Sequence, residues 1–137
     1  MLVSEVMSKQ VISVDPQSTV ADASKLISKH NIGSIPVAQS GKVCGILTDR
    51  DIVLRCVAAD RDPKSIKVSE VMTSPLISVT STETIETAMQ TMASEQVRRM
   101  PVVDAGKLVG IVSMADFARV RGNPEISDTI SEISMPR

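Results

Sequence analysis

The sequence predicts an α+β fold built from two pseudo-symmetric copies of one β-α-β-β-α unit, with two small sheets packed face to face. Three observations lead there. Val3-Ser4-Glu5-Val6-Met7 returns letter for letter as Val68-Ser69-Glu70-Val71-Met72, 65 positions later. At that same offset, without a gap, Ile12-Ser13-Val14 becomes Ile77-Ser78-Val79, Pro36-Val37 becomes Pro101-Val102, and Gly41-Lys42 becomes Gly106-Lys107. Internal repetition decides a fold before local patterns do. Third, each copy shows the same succession of apolar strand-like runs, turn residues and helically spaced apolar positions.

The elements follow in order. A helical turn is expected around Val3–Met7, then a strand over Val11–Val14. Asp15-Pro16-Gln17-Ser18 is a turn, after which Ser18 or Thr19 caps a helix whose Val20, Ala23, Ile27 and Asn31 keep helical spacing. Ile35–Ala38 reads as a second strand, Ser40-Gly41 as a hairpin turn and Lys42–Leu47 as a third strand. A helix is expected from about Asp49 to Ala59. Pro36 and Pro101 cannot donate a ladder hydrogen bond, which places them at a strand start or on an edge. The expected divisions are a first unit over 1–60, a charged linker over 61–67, a second unit over 68–121 and a tail over 122–137. The tail carries an Ile126/Ile130/Ile133 stripe suited to one short docking helix.

Composition narrows the function. The chain has 137 residues, 42% of them hydrophobic, and a net charge of −1, which argues against a broad electrostatic grip on nucleic acid or anionic lipid. Phe117 is the single aromatic residue, so packing rests on aliphatic residues and methionine. No apolar run approaches the roughly 20 residues of a membrane span, and the first residues read as no signal peptide. A cytoplasmic protein is expected. Cys44 and Cys56 lack metal or redox spacing, and Cys44 falls where the second copy has Val109. A reduced thiol acting as a small hydrophobe is expected there.

Two corners carry the only candidate chemistry. Gly45-Ile46-Leu47-Thr48-Asp49-Arg50-Asp51 and Gly110-Ile111-Val112-Ser113-Met114-Ala115-Asp116 both read as a strand end, a small hydroxyl residue and a helix start with an aspartate in its first turn. Thr48-x-x-Asp51 and Ser113-x-x-Asp116 have the spacing of a capping box. The same groups at a helix start are also suited to hold ribose and phosphate oxygens. The two roles can coexist, since a helix start offers several free N–H groups.

The h-Pro-Val strands (Ile35-Pro36-Val37 and Met100-Pro101-Val102) and the repeated Gly-h-h-[Thr/Ser]-x-x-Asp corner resemble a tandem pair of CBS domains, the Bateman module, from Val3 to about Arg121. The resemblance implies a small stand-alone module with two clefts between the copies for adenine nucleotides (AMP, ADP, ATP) or adenosyl compounds. It implies that Thr48 faces phosphate or ribose and Asp51 the ribose hydroxyls of the first cleft. Ile46, Ile77 and Val97 would line its base, with Met72 near the adenine edge. In the second cleft Ser113 and Asp116 take those parts, Ile12, Ile32 and Ile111 line the base, and Met7 lies near it. The position that often supplies a basic phosphate contact holds Arg98-Arg99 for the second cleft and Gly33-Ser34 for the first. A guanidinium fork matches phosphate geometry, so the second cleft is expected to take the more phosphorylated ligand; two solvated surface arginines are the other reading.

The function expected is a regulatory sensor that signals through conformation or through a homodimer formed by exposed helices, with an adenine nucleotide as ligand, no required cofactor and an unidentified protein target. A purely structural dimerisation module is the alternative. An enzyme is disfavoured by the single histidine, His30, the missing Gly-rich phosphate loop and the lack of a nucleophilic set or metal cluster. Nucleic-acid binding lacks a basic face and stacking aromatics.

Overall fold

The computed structural model describes residues 1–74 and 77–119. The expected end of the last helix near Val120 and the tail over 122–137 lie outside the described residues. In chain order the elements are α1 (Val3–Val6), α2 (Val20–His30), β1 (Ser34–Gln39), β2 (Lys42–Thr48) and α3 (Asp49–Ile52), which runs into a π-helical stretch, Val53–Val57. A 3-10 turn (Val68–Glu70), α4 (Ile85–Glu95), β3 (Arg99–Asp104), β4 (Lys107–Ser113) and α5 (Met114–Ala118) follow.

The chain forms two compact units whose boundaries are not those of the sequence repeats. The first unit is Ile12–Leu76, and the second joins Met1–Val11 to the described residues from Ile77 to Arg119. Each copy of the repeated pentapeptide therefore belongs to the unit built around the other repeat.

In the first unit, Thr19 caps α2 by accepting from the Asp22 N–H, and Asn31 ends it in the left-handed region at φ 52°. Asn is among the few non-glycine residues that tolerate that conformation. β1 and β2 pair antiparallel through a two-residue turn, Ser40-Gly41, both with positive φ, the requirement of a type I′ hairpin. A register shift after Val37 leaves Cys44 as the extra residue of a bulge. Pro36 sits inside β1, but its carbonyl accepts from the Val14 N–H. Its missing N–H therefore faces away from β2 and weakens no β1–β2 bond. The core gathers Val20, Ile35, Val37 and Leu47 with Ile66, Val68 and Val71 from the end of the unit. Ile66 lies within the charged stretch 61–67, yet it is buried.

The second unit repeats this plan. Thr84 caps α4 and Gln96 ends it at φ 54°; β3 and β4 pair through Ala105-Gly106, with Val109 as the extra residue. Its core holds Ile85, Met89, Met92 and Met100 with Val3 from the N-terminal segment and Phe117 from α5. The lone aromatic residue and the methionines fill this core, as flexible thioethers do where aromatic volume is scarce.

Two sequence expectations are corrected. The strand expected over Val11–Val14 is reduced to one bridge, Val14 to Val37. Only Val14 exchanges backbone bonds with β1, because the Asp15-Pro16 turn diverts the chain at the next residue. The helix expected from Asp49 to about Ala59 is α-helical only through Ile52. Beyond it the Ala58 N–H bonds to the Val53 carbonyl and the Arg61 N–H to the Cys56 carbonyl, five-residue steps that widen the turn.

Candidate functional site

The repeated pentapeptide explains itself locally. Val3 and Val68 are fully buried. Glu5 and Glu70 reach back to the backbone N–H of Leu2 and Lys67, one residue before each turn. The sulfurs of Met7 and Met72 press on the Gly110 and Gly45 backbones. One bridge then follows in each unit, Ser8 to Ile111 and Thr73 to Ile46, so each pentapeptide delivers a hydroxyl residue beside a strand that ends in a corner.

At the first corner Thr48 Oγ1 accepts from the Asp51 N–H at 3.0 Å, and Asp51 Oδ2 accepts from the Thr48 N–H at 3.0 Å. The capping box is therefore present. Asp51 is also tied across the unit. Thr73 donates its hydroxyl to the carboxylate at 3.0 and 3.2 Å, and Arg55 Nη1 stands 3.8 Å away. The same Arg55 nitrogen donates to the Val71 and Met72 carbonyls, both at 3.0 Å. Asp51 is 7% exposed, and a carboxylate this deeply placed requires such partners.

The second corner is held more locally. Asp116 Oδ2 accepts from the Ser113 N–H at 2.8 Å and from its hydroxyl at 3.1 Å. Arg119 Nη1 donates to Oδ1 at 3.2 Å. Ser8, the counterpart of Thr73, donates instead to the Gln10 carbonyl. Each carboxylate has about four acceptor positions and three donor groups nearby, which leaves room for a ligand hydroxyl.

The proposed site residues distribute as follows. Thr48, Asp51, Ile46 and Met72 come together in the first unit, where Ile12 and Ile32 pack half-buried on the core. Ser113, Asp116, Ile111 and Met7 come together in the second unit. Val97 packs there on the core, and Ile77 is 37% exposed. Arg99 stands opposite Ser113 in the β3–β4 ladder, and the Arg98 carbonyl accepts from the Met114 N–H. Thr73 and Arg55 were not singled out as site residues from sequence. A hydroxyl residue directly after both pentapeptides, Ser8 and Thr73, was the available signal. Among the described residues no cluster of three His, Cys, Asp or Glu side chains is placed to hold a metal ion, and no helix is long and apolar enough to cross a membrane.

The CBS domain family model matches residues 3–57 and again 68–123. The CBS domain-containing protein YhcV of Bacillus subtilis is 46% identical over 116 residues, 85% of this chain and 82% of that one. Hypoxic response protein 1 of Mycobacterium tuberculosis is 32% identical over 133 residues, 96% of this chain and 93% of that one. A crystal structure of Hypoxic Response Protein I with two coordinated zinc ions superposes with TM-score 0.79 at 33% identity, covering 87% of this chain and 98% of that one. The CBS domain pair of protein MJ0100, solved with 5′-methylthioadenosine and S-adenosyl-L-methionine, superposes with TM-score 0.74 at 30% identity, covering 88% of this chain and 94% of that one. Two family matches in register with the internal repeat, each containing one hydroxyl–aspartate corner, mean that this chain belongs to the CBS domain family and carries its domains as a tandem pair.

Proposed function

We propose that this CBS pair is a regulatory sensor that binds adenine nucleotides or adenosyl compounds at its two corners and passes occupancy on through its conformation or its self-association. One observation carries the reading: in both units a hydroxyl residue and a buried aspartate converge where a strand enters a helix, beside a glycine that a pentapeptide segment approaches to within 3 Å of where a Cβ would stand. The adenosyl ligands of the related MJ0100 pair support the ligand class. Asp51 and Asp116 would accept from the ribose hydroxyls, Thr48 would donate to phosphate or ribose oxygens, Ser113 would do so once its hydroxyl turns from Asp116 to the ligand, and Ile46 and Ile111 would lie against the base. A ligand shifts such a protein only by its differential affinity for two conformations. The reading includes no turnover of the ligand and no required cofactor.

A thermal-shift panel of ATP, ADP, AMP, S-adenosylmethionine and methylthioadenosine tests it. At least one compound should raise the melting temperature, and the rise should shrink in Asp51→Asn or Asp116→Asn. A second reading, a structural dimerisation module, is favoured by the exposed Val53, Leu54 and Val57 on the π-helical stretch, an apolar face suited to a second copy of this chain. A silent panel together with a dimer that Leu54→Glu dissociates in sedimentation would decide for that role.

A further inference from the structure

The two corners share one pattern of backbone pairing but differ in charge. Ser34 pairs with Thr48 and Arg99 with Ser113 at equivalent ladder positions. Directly paired residues of an antiparallel ladder project from the same face, with Cβ atoms about 5 Å apart. Arg99 therefore leaves the ladder on the same face as Ser113, where the first corner offers only Ser34. One residue earlier the match is equally close. The Asp49 N–H donates to the Gly33 carbonyl at 3.0 Å, and the Met114 N–H donates to the Arg98 carbonyl at 2.9 Å. Arginine thus replaces glycine, and methionine replaces aspartate, across the same backbone bond. The Asp49 carboxylate lies over Gly33, its Oδ2 3.6 Å from where a Cβ would stand. Arg98 and Arg99 are exposed. In the first corner Asp49 and Asp51 are balanced by Arg50 and Arg55, and Arg55 is committed to the Val71 and Met72 carbonyls. In the second, Arg98, Arg99 and Arg119 outweigh Asp116 by two positive charges.

We infer that the second corner selects adenosine ligands carrying a 5′-phosphate, whereas the first selects adenosyl ligands without one, neutral or cationic at the 5′ position. Arg98 and Arg99 set the first preference; Gly33, Ser34 and Asp49 set the second. The inference rests on the adenosyl reading above and gives each corner a substrate class. The Arg99 guanidinium can grip a phosphate by charge-assisted, directional bonds, and Arg98 beside it adds positive charge. A carboxylate at the matching place repels that phosphate and tolerates a thioether or attracts a sulfonium.

The probes are AMP and 5′-methylthioadenosine, read through methyl-labelled methionine by NMR. Met72 and Met7 lie against the Gly45 and Gly110 backbones, so their methyl signals report the two corners separately. The preference for AMP over methylthioadenosine should be at least about tenfold greater at the Met7 corner than at the Met72 corner, the scale expected for a gained charged grip, and added salt should reduce it. The double variant Arg98→Gly/Arg99→Ser should abolish the difference at the Met7 corner. The transplant Gly33→Arg/Ser34→Arg should create AMP preference at the Met72 corner. The transplant introduces no backbone clash, because a Cβ at Gly33 meets only ordinary van der Waals contact. Equal preferences at both corners in the parent protein, or preferences unmoved in both double variants, would overturn the inference while leaving the adenosyl reading intact. If neither compound shifts either methyl, the adenosyl reading fails and the inference falls with it.

Discussion

Asp51 and Asp116 occupy equivalent positions, but they do different amounts of structural work. Removing the Asp51 carboxylate strands the Thr48 N–H and the Thr73 hydroxyl and leaves Arg55 only its two carbonyl bonds, whereas Asp116 serves only its own turn and Arg119. Leaving buried donors unpaired costs about 1–3 kcal/mol. Asp51→Ala is therefore expected to lower the urea-unfolding free energy by roughly 2 kcal/mol, and Asp116→Ala by about half that; equal losses would mean that the Thr73 bond contributes nothing. A third carboxylate contributes to the acid sensitivity. Asp104 accepts from the Ser81 hydroxyl at 2.5 Å and from its N–H at 2.9 Å, which hold its carboxyl below the usual carboxylate range. Glu70, held by the Lys67 N–H and then by Arg61, and Asp62, held by the Lys64 N–H and then by Ser65, shift the same way. A depressed folded value means stability that is present above the unfolded pKa, about 4 for these acids, and lost as pH falls through the folded value. Melting temperatures recorded from pH 5 to pH 2.5 should fall less steeply for Asp104→Asn than for the parent.

At the scale of elements, the close approach of the pentapeptide segments to β2 and β4 leaves little room at Gly45 and Gly110. A Cβ on Gly45 would stand 2.5 Å from the Thr73 carbonyl oxygen and 3.2 Å from the Met72 sulfur. On Gly110 it would meet the Met7 sulfur at 2.6 Å and the Ser8 carbonyl at 3.0 Å. Backbone cannot yield as a thioether can, and overpacking costs about 1–3 kcal/mol. Gly45→Ala should therefore sit at the upper end of that range and Gly110→Ala at the lower, as compared by chemical denaturation. The regular elements were legible because they depend on short-range signals, Ser18 or Thr19 as a cap, Ser40-Gly41 as a turn and apolar spacing along α2, and the repeat carried the same succession to the second unit. The Val11–Val14 strand was misread because four apolar residues ahead of Asp-Pro do not reveal that only the last one reaches β1. The π-helical stretch was invisible because its five-residue bonds depend on where Cys56 and Arg61 are anchored, which no local spacing encodes.

Across the molecule, the repeat is plain in the letters, but its exchange of pentapeptides is not, because identical segments fit either unit equally well on paper. The same ambiguity limited the site: Thr48, Asp51, Ser113 and Asp116 were found from spacing, whereas Thr73 reaches Asp51 only because the segment ending in Met72 folds onto the first hairpin. The exchange has a consequence for how the chain can be divided. A fragment cut at the repeat boundary, residues 1–65, keeps α2, β1, β2 and α3 but lacks Ile66, Val68 and Val71, all buried in that unit. Burying one such side chain contributes roughly 1.5–3 kcal/mol, so losing three removes stability comparable to that of a whole domain of this size, which is marginal even when complete. A fragment of residues 12–76 has the same length and retains the entire core of its unit. Circular dichroism should show cooperative thermal unfolding for 12–76 and a gradual, featureless melt for 1–65. Adding a synthetic 66–76 peptide to the 1–65 fragment should restore a sigmoidal transition whose midpoint rises with peptide concentration. Cooperative folding of 1–65 alone would show that the pentapeptide of the second repeat is dispensable to the first unit, and that the exchanged segment decorates its core instead of completing it.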